Sequence, residues 1–264
     1  MRELIGGEDK MIFFSDIDNT LVYSHNRKVK EPKVVVEYLR GREQAYMTKN
    51  AYDYLKKTNG TMFVPVTSRH VEQYKRLVPF VDGSFGVEYA LLCNGGILLN
   101  NNMIHEEWLN NTLYISERSL DEIDRCLFLM NRMVSKNHIH RVQPFFVYAV
   151  SNETKRIMEF LQDELDDEKV FVWQDNRKVY CCSAEISKGN SVKRFIEFLG
   201  LKDICISAGD NIIDVSMFSV TDYCITKADL KQVVNVDNVT YLEGENISDQ
   251  ICDWLHTLER EFEK

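Results

Sequence analysis

Proline is scarce in this 264-residue chain, with four in all, and no stretch gathers proline, glycine and serine densely enough to make a flexible linker. There is no low-complexity tract and no repeat of fixed period, which excludes solenoids and propellers. Residues 1–10 hold no long apolar run, so neither a secretion signal nor a membrane anchor is expected. The seven cysteines form no CxxC pair and are odd in number, which argues against a disulfide framework. Many of them sit in apolar runs, where reduced core thiols are expected, and a cytoplasmic location follows. Basic residues are in deficit, 32 against 41 acidic, and the net charge of −9 argues against nucleic-acid or anionic-membrane partners. What remains is a hydrophobic content of 44%, enough to bury one substantial core and a smaller inserted domain.

The most informative segment is Met11 to Leu21, where a short apolar run ends in Asp16, Asp18 and Thr20. It reads as a buried strand delivering carboxylates to the carboxyl edge of a sheet, where ligands bind in open α/β folds. Acids spaced i, i+2 on a tight loop can converge on one cation. Three further strand-end clusters follow: Thr67-Ser68-Arg69 after the β-rich run 61–66, Lys188 in the loop before a helical segment, and Gly209 to Asp214 after the apolar run 203–208.

Together, DIDNT at Asp16–Thr20, VTSR at Val66–Arg69, SKGN at Ser187–Asn190 and GDNIID at Gly209–Asp214 resemble the haloacid dehalogenase-like phosphohydrolases, in their Cof-type and sucrose-phosphatase-like branch. The resemblance implies an α/β fold with a doubly wound, Rossmann-like parallel core, residues 1–100 and 183–264, and an inserted α/β cap, residues 101–182. It implies Asp16 as nucleophile, Asp18 as general acid and base, and Thr67 and Lys188 as ligands of the phosphoryl oxygens. Ser68, Arg69 and Asn190 complete the substrate-binding set, Arg69 either touching substrate or bridging to the acids from the rim. Mg2+ is implied on the Asp16 carboxylate, the Asp18 carbonyl and the Asp210 carboxylate, with Asp214, one helical turn on, behind them.

Two positions depart from the family pattern. Asn19 stands where glycine is usual, and Asn tolerates the left-handed backbone such a turn needs. Ile213 stands where an asparagine is usual, replacing an amide near the metal by a hydrocarbon. The function expected is a Mg2+-dependent phosphatase for a small phosphorylated metabolite, with sugar phosphates implied by the resemblance. A phosphosugar mutase and a non-catalytic phosphometabolite sensor are the alternatives, and a monomer or weak homodimer is the expected state.

The coarse pattern is a strand at 11–15, a helix near 47–58, a strand at 61–66, a helix near 70–78 and a strand at 88–93. A long helix at 117–136, strands near 139–150, a helix near 153–165 and strands at 169–174 and 177–182 then mark the cap, before a final amphipathic helix near 247–261. Asn94 fits a hairpin turn, and His138 and His140 lack partners at zinc-ligand spacing. Gln143, Trp173 and Tyr180 are cap residues suited either to sugar contact or to packing.

Overall fold

The computed structural model describes residues 11–57, 60–142 and 144–262; Gln143 lies outside them. The apolar run at its start forms strand β1 (Met11–Ser15), buried along its whole length because both faces of the sheet are covered. Met11 and Phe13 point into one hydrophobic cluster, Ile12 and Phe14 into another, as the two-residue period of a strand requires.

An antiparallel flap follows, made of β2 (Tyr23–Ser24), β3 (Lys33–Leu39) and β4 (Arg42–Thr48) in the order β2-β4-β3. Its hairpin turns on Arg40 and Gly41, both with positive φ, 52° and 74°. Glu37 interrupts the register of β3 with β4, a bulge that bends the strand. The sequence pattern gave no sign of this flap, because its strands are half exposed and lack clean alternation.

The core continues with α1 (Lys49–Lys57), β5 (Thr61–Pro65), α2 (Val71–Tyr74), α3 (Val78–Val81), β6 (Tyr89–Leu92), β7 (Ile97–Asn100), β8 (Met103–Ile104) and α4 (Glu106–Ser116). The single helix expected near 70–78 is two short ones, because Pro79 fits only the opening turn of a new helix. In α4, Trp108 is buried in the same cluster as Phe14 and Phe195 and donates its indole N–H to the Gly95 carbonyl at 2.9 Å. Trp108 thus ties α4 to the core.

The cap comprises α5 (Leu120–Met133), β9 (Ile139–Val142), β10 (Phe146–Val150), α6 (Thr154–Glu164), β11 (Val170–Asp175) and β12 (Lys178–Ser183). Its antiparallel sheet runs β11-β12-β10-β9. One face, with Val147, Ala149, Val179 and Cys181, packs under Ile123, Cys126, Met130, Ile157 and Leu161 of the two helices. The opposite face carries Phe146, Trp173 and Tyr180 toward the core.

The chain returns to the core through α7 (Lys188–Leu199), β13 (Ile204–Gly209), α8 (Val215–Phe218), β14 (Tyr223–Lys227), β15 (Val239–Leu242) and α9 (Ser248–Phe262). The parallel sheet is ordered β15-β14-β13-β1-β5, and β6 joins its edge through a parallel bridge from Leu91 to Val66. The last two strands were not anticipated from the sequence. Among the described residues no helix is long and apolar enough to cross a membrane.

Candidate active site

Sheet order brings distant residues together. The carboxyl ends of β5, β1, β13 and β14 lie side by side and carry, in turn, Thr67 to Arg69, Asp16 and Asp18, Asp210, and Lys227. Ser15 pairs with Ala208, so the loops holding Asp16 and Asp210 leave neighbouring strands at the same height. Asn19 has φ 64°, the left-handed turn expected of the position, and it folds Thr20 back over the acids.

Asp16 is 6% exposed, and its Oδ1 accepts a hydrogen bond from Lys188 Nζ at 2.5 Å. Ser187 caps the N-terminus of α7, its side chain accepting the Asn190 N–H, which places Lys188 in the first helical position facing the strand ends. Lys188 is fully buried and also donates to Asp214 Oδ1 at 2.6 Å. The other Asp214 oxygen accepts the backbone N–H groups of Asp210 and Asn211, both at 2.9 Å. This curl needs Gly209, because a Cβ there would lie 2.3 Å from Asp214 Cβ. Asp214 therefore braces the loop and the lysine, with both oxygens already engaged.

A second ammonium group, Lys227, donates to Asp210 Oδ2 at 2.9 Å. The two lysines thus take the outer oxygens of Asp16 and Asp210. The inner oxygens, Asp16 Oδ2 and Asp210 Oδ1, face the hydroxyl of Thr20 at 3.2 and 3.3 Å. Carboxylate oxygens of Asp16, Asp210 and Asp214 lie within 4.8 Å of one another. Burial pushes the Asp16 carboxyl well above the usual range, and the neighbouring Asp214 and Asp210 add to it against the pull of Lys188. Asp210 is raised as well, first by burial and then by Asp214, against Lys227. Burial alone would lower the Lys188 ammonium, but Asp16 and Asp214 reverse that and hold it above its ordinary value.

Asp18 has a different neighbourhood. Arg69 grips its carboxylate with two hydrogen bonds, Nε to Oδ2 at 2.8 Å and NH2 to Oδ1 at 2.7 Å. Burial pushes this carboxyl up, but the charge and the hydrogen bonds of Arg69 outweigh it, so Asp18 sits below the usual carboxylate range. Thr67 is buried and its hydroxyl accepts the Arg69 N–H at 3.2 Å. Ser68 lines a small cavity of about 40 Å³ together with Asp16, Asp18, Asp210, Ile213, Trp173, Asp175 and Tyr180. Asn190 is exposed, and its amide donates to the Glu185 carbonyl at 3.2 Å, away from the acids.

Beyond the small cavity lies a cleft of about 390 Å³, which shares Asp18, Asn19, Ser68, Asp175 and Tyr180 with it. The flap gives it Ser24, His25 and Gln44, and the cap gives Phe146, Tyr148, Asn176 and Lys178. Tyr180 stacks on Trp173 with ring centroids 4.8 Å apart, and Tyr148 lies 5.3 Å from Tyr180 on its other side. Sequence reasoning missed Lys227, Glu37, Arg76 and Asp175. Only Lys227 carried a readable sign, as one more polar residue at the end of an apolar strand.

Comparison with known proteins adds to this geometry. The haloacid dehalogenase-like hydrolase profile matches residues 114–235, which include Lys188, Asp210 and Asp214. No curated protein sequence matches the chain. Among solved structures, the sucrose-phosphatase of Synechocystis, in complex with sucrose and phosphate, has a TM-score of 0.64 at 13% identity, covering 95% of this chain and 98% of its own. A subclass IIB sugar phosphatase of the haloacid dehalogenase superfamily gives 0.62 at 13%, over 95% and 99% of the two chains. A haloacid dehalogenase-like hydrolase from Bacteroides thetaiotaomicron gives 0.55 at 15%, over 94% and 99%. The profile thus matches the part of the chain that holds the lysine and second acidic motifs, and the solved structures share its fold across core and cap.

Proposed function

We propose that the protein is a Mg2+-dependent phosphatase that hydrolyses a small sugar phosphate through an aspartyl-phosphate on Asp16. The observation that carries this reading is the placement of Asp16 at the floor of the small cavity, between Lys188 and Asp210, with Asp18 on the same loop at its side. The inner oxygens of Asp16 and Asp210 both face the Thr20 hydroxyl while the lysines hold the outer ones, and the two carboxyls are raised first by burial and then by the charge of Asp214. A hard divalent cation suits that oxygen set, held by Asp16, Asp210 and the Asp18 carbonyl, with Asp214 behind them. When bound, it neutralises charge on the transferring phosphoryl group.

In the first step a carboxylate oxygen of Asp16 attacks phosphorus and the bond to the leaving oxygen breaks. Asp18 gives its proton to that oxygen, which departs as an alcohol. In the second step Asp18 takes a proton from water, the resulting hydroxide attacks phosphorus, and the bond to Asp16 breaks to release phosphate. Lys188 and the Thr67 hydroxyl steady the phosphoryl oxygens. Held as a carboxylate by Arg69, Asp18 is ready for the second step in the resting protein. A phosphate dianion arriving in the small cavity raises its pKa by like-charge repulsion and favours the protonated form that the first step needs.

The substrate's body fits the cleft between flap and cap. The Tyr148, Tyr180 and Trp173 rings offer a face for the C–H side of a sugar, and Asp175, Asn176, Lys178 and Gln73 surround it with hydroxyl partners. The seven cysteines are all buried and unpaired, as suits a reducing, cytoplasmic setting. The test is a panel of phosphorylated sugars with Mg2+, read as free phosphate and as recovered sugar. Release of phosphate that depends on Mg2+ and on Asp16 supports the reading. An isomeric sugar phosphate with little free phosphate identifies a mutase instead, and tight binding with no turnover identifies a sensor.

A further inference from the structure

The flap holds one buried acid that the phosphatase reading leaves without a task. Glu37 lies on the bulge of β3, its side chain 5% exposed, and its two oxygens are divided between two guanidinium groups. Oε2 accepts Arg69 NH2 at 2.9 Å, and Oε1 accepts Arg76 Nε at 2.8 Å. The same Arg69 NH2 also reaches Asp18 Oδ1, while Arg69 NH1 donates to the Gln73 carbonyl at 3.2 Å. Three segments of the chain therefore fix the plane of one guanidinium: the nucleophile loop, the flap and α2. Charges alternate along the line Asp18, Arg69, Glu37, Arg76, and a break at Glu37 removes one of the three contacts that hold Arg69 in the plane in which it meets Asp18.

A buried ion pair contributes little net stability against well-packed apolar residues, so stability alone is a weak reason for a carboxylate here. Orientation is a better one. A carboxylate gripped on both oxygens by a planar fork still has lone pairs to spare, and what the fork sets is the direction in which they point. We propose that Glu37 is a positioning residue for the reaction: by locking Arg69 it holds the Asp18 carboxyl at the angle needed for proton transfer to the leaving oxygen, which makes the flap strand part of the catalytic apparatus. This rests on the reading of Asp18 as the acid and base of a phosphatase.

The test compares Glu37→Gln, Glu37→Asp, Asp18→Asn and the Asp18→Asn/Glu37→Gln double variant in the Mg2+-loaded protein. The substrates are an alkyl sugar phosphate, which needs leaving-group protonation, and p-nitrophenyl phosphate, which needs it little. Glu37→Gln is expected to lower kcat on the alkyl ester by roughly 10 to 100-fold, as misplacement of a catalytic group does, with KM nearly unchanged and a much smaller loss on the aryl ester. Glu37→Asp keeps the buried charge and the fold but draws the oxygens back, so the same selective loss appears in weaker form. The double variant is expected to be no worse than Asp18→Asn alone on the alkyl ester. Equal losses on both esters, or losses that multiply in the double variant, overturn the proposal and leave Glu37 as a stitch between flap and core. If Asp18→Asn itself shows no preference between the esters, the acid role fails and the proposal falls with it, which separates that failure from one confined to Glu37.

Discussion

On the sheet side of the site, Asp16, Asp210 and Asp214 are met by ammonium groups, from Lys188 and Lys227. On the flap side, Asp18 is met by the guanidinium of Arg69, itself tied to Glu37. An ammonium is a point charge that can take the outer oxygen of a carboxylate and leave the inner one to another cation, whereas a guanidinium fork occupies both oxygens at once. The consequence shows in two carboxyls two residues apart. Asp16 is raised by burial and by its acidic neighbours, while Asp18 is lowered because Arg69 outweighs its burial. Environments that push two acids apart on one loop suit them to different tasks, which on the proposed function are attack for Asp16 and proton transfer for Asp18.

The largest expected effect tests that division directly. Asp16→Asn is expected to abolish turnover of every ester, because the amide cannot attack phosphorus, whereas Asp18→Asn keeps measurable hydrolysis of p-nitrophenyl phosphate. Steady-state kinetics on purified, folded variants decide it, and equal residual rates in the two variants would erase the distinction. Next in size is metal removal. Chelation is expected to stop hydrolysis, and added Mg2+ to raise the melting temperature of the wild type but not of Asp210→Asn, with Ca2+ binding yet failing to restore turnover. A chelated enzyme with full activity would refute the cation's role.

Lys227→Gln sharpens the comparison from the ammonium side. The amide can still hold the outer oxygen of Asp210 but no longer brings positive charge, so the Mg2+ concentration giving half of the full melting shift should fall roughly tenfold. An unchanged or higher midpoint would show that Lys227 contributes orientation alone. Ile213→Asn is expected to act in the same sense and more weakly, since Ile213 is half buried and lines the small cavity. A lower melting temperature with no gain in Mg2+ response would mark the hydrocarbon as structural.

The smallest effect concerns acid stability of the metal-free protein. Asp16 is raised in the folded state, so as pH falls from that folded value toward about 3.9 the folded form takes up the proton first and gains stability. Asp18 is lowered, so its contribution is present above about 3.9 and is lost as pH falls through its folded value. Urea midpoints measured from neutral pH to pH 3 should therefore lose the gain in Asp16→Asn and lose the final drop in Asp18→Asn. Curves that coincide with wild type would show that the two carboxyls share one environment after all.

The parts of the site that could be read from the sequence are those where an apolar strand stops at a polar cluster, since there a single local pattern fixes both the element and the direction of its side chains. Asp16, Thr67, Lys188 and Asp210 are of this kind, and so, unnoticed, was Lys227. Glu37 is not, because its importance comes from a bulge and from partners 32 and 39 residues away in sequence. Asn190 shows the opposite limit: its neighbour Lys188 turns inward at the first helical position, but two residues on the helix has rotated outward to solvent. The cap's strands were legible and its inward face was not, since which side of an antiparallel sheet meets the core depends on how the two docked.

The pairing of Ser15 with Ala208 makes the sheet a ruler for the chemistry. The gap between Asp16, the proposed nucleophile, and Asp210 is set by backbone register near the centre of the protein, and a slip of one residue would turn one of the two away. On the proposed function the reacting atoms thus sit at the ends of two adjacent strands buried along almost their whole length. The walls of the cleft proposed for the substrate belong to the flap and to a cap hairpin, each part of a sheet of its own. On the proposed function, substitutions there can reshape what is accepted while the distance between Asp16 and Asp210 stays where the sheet put it.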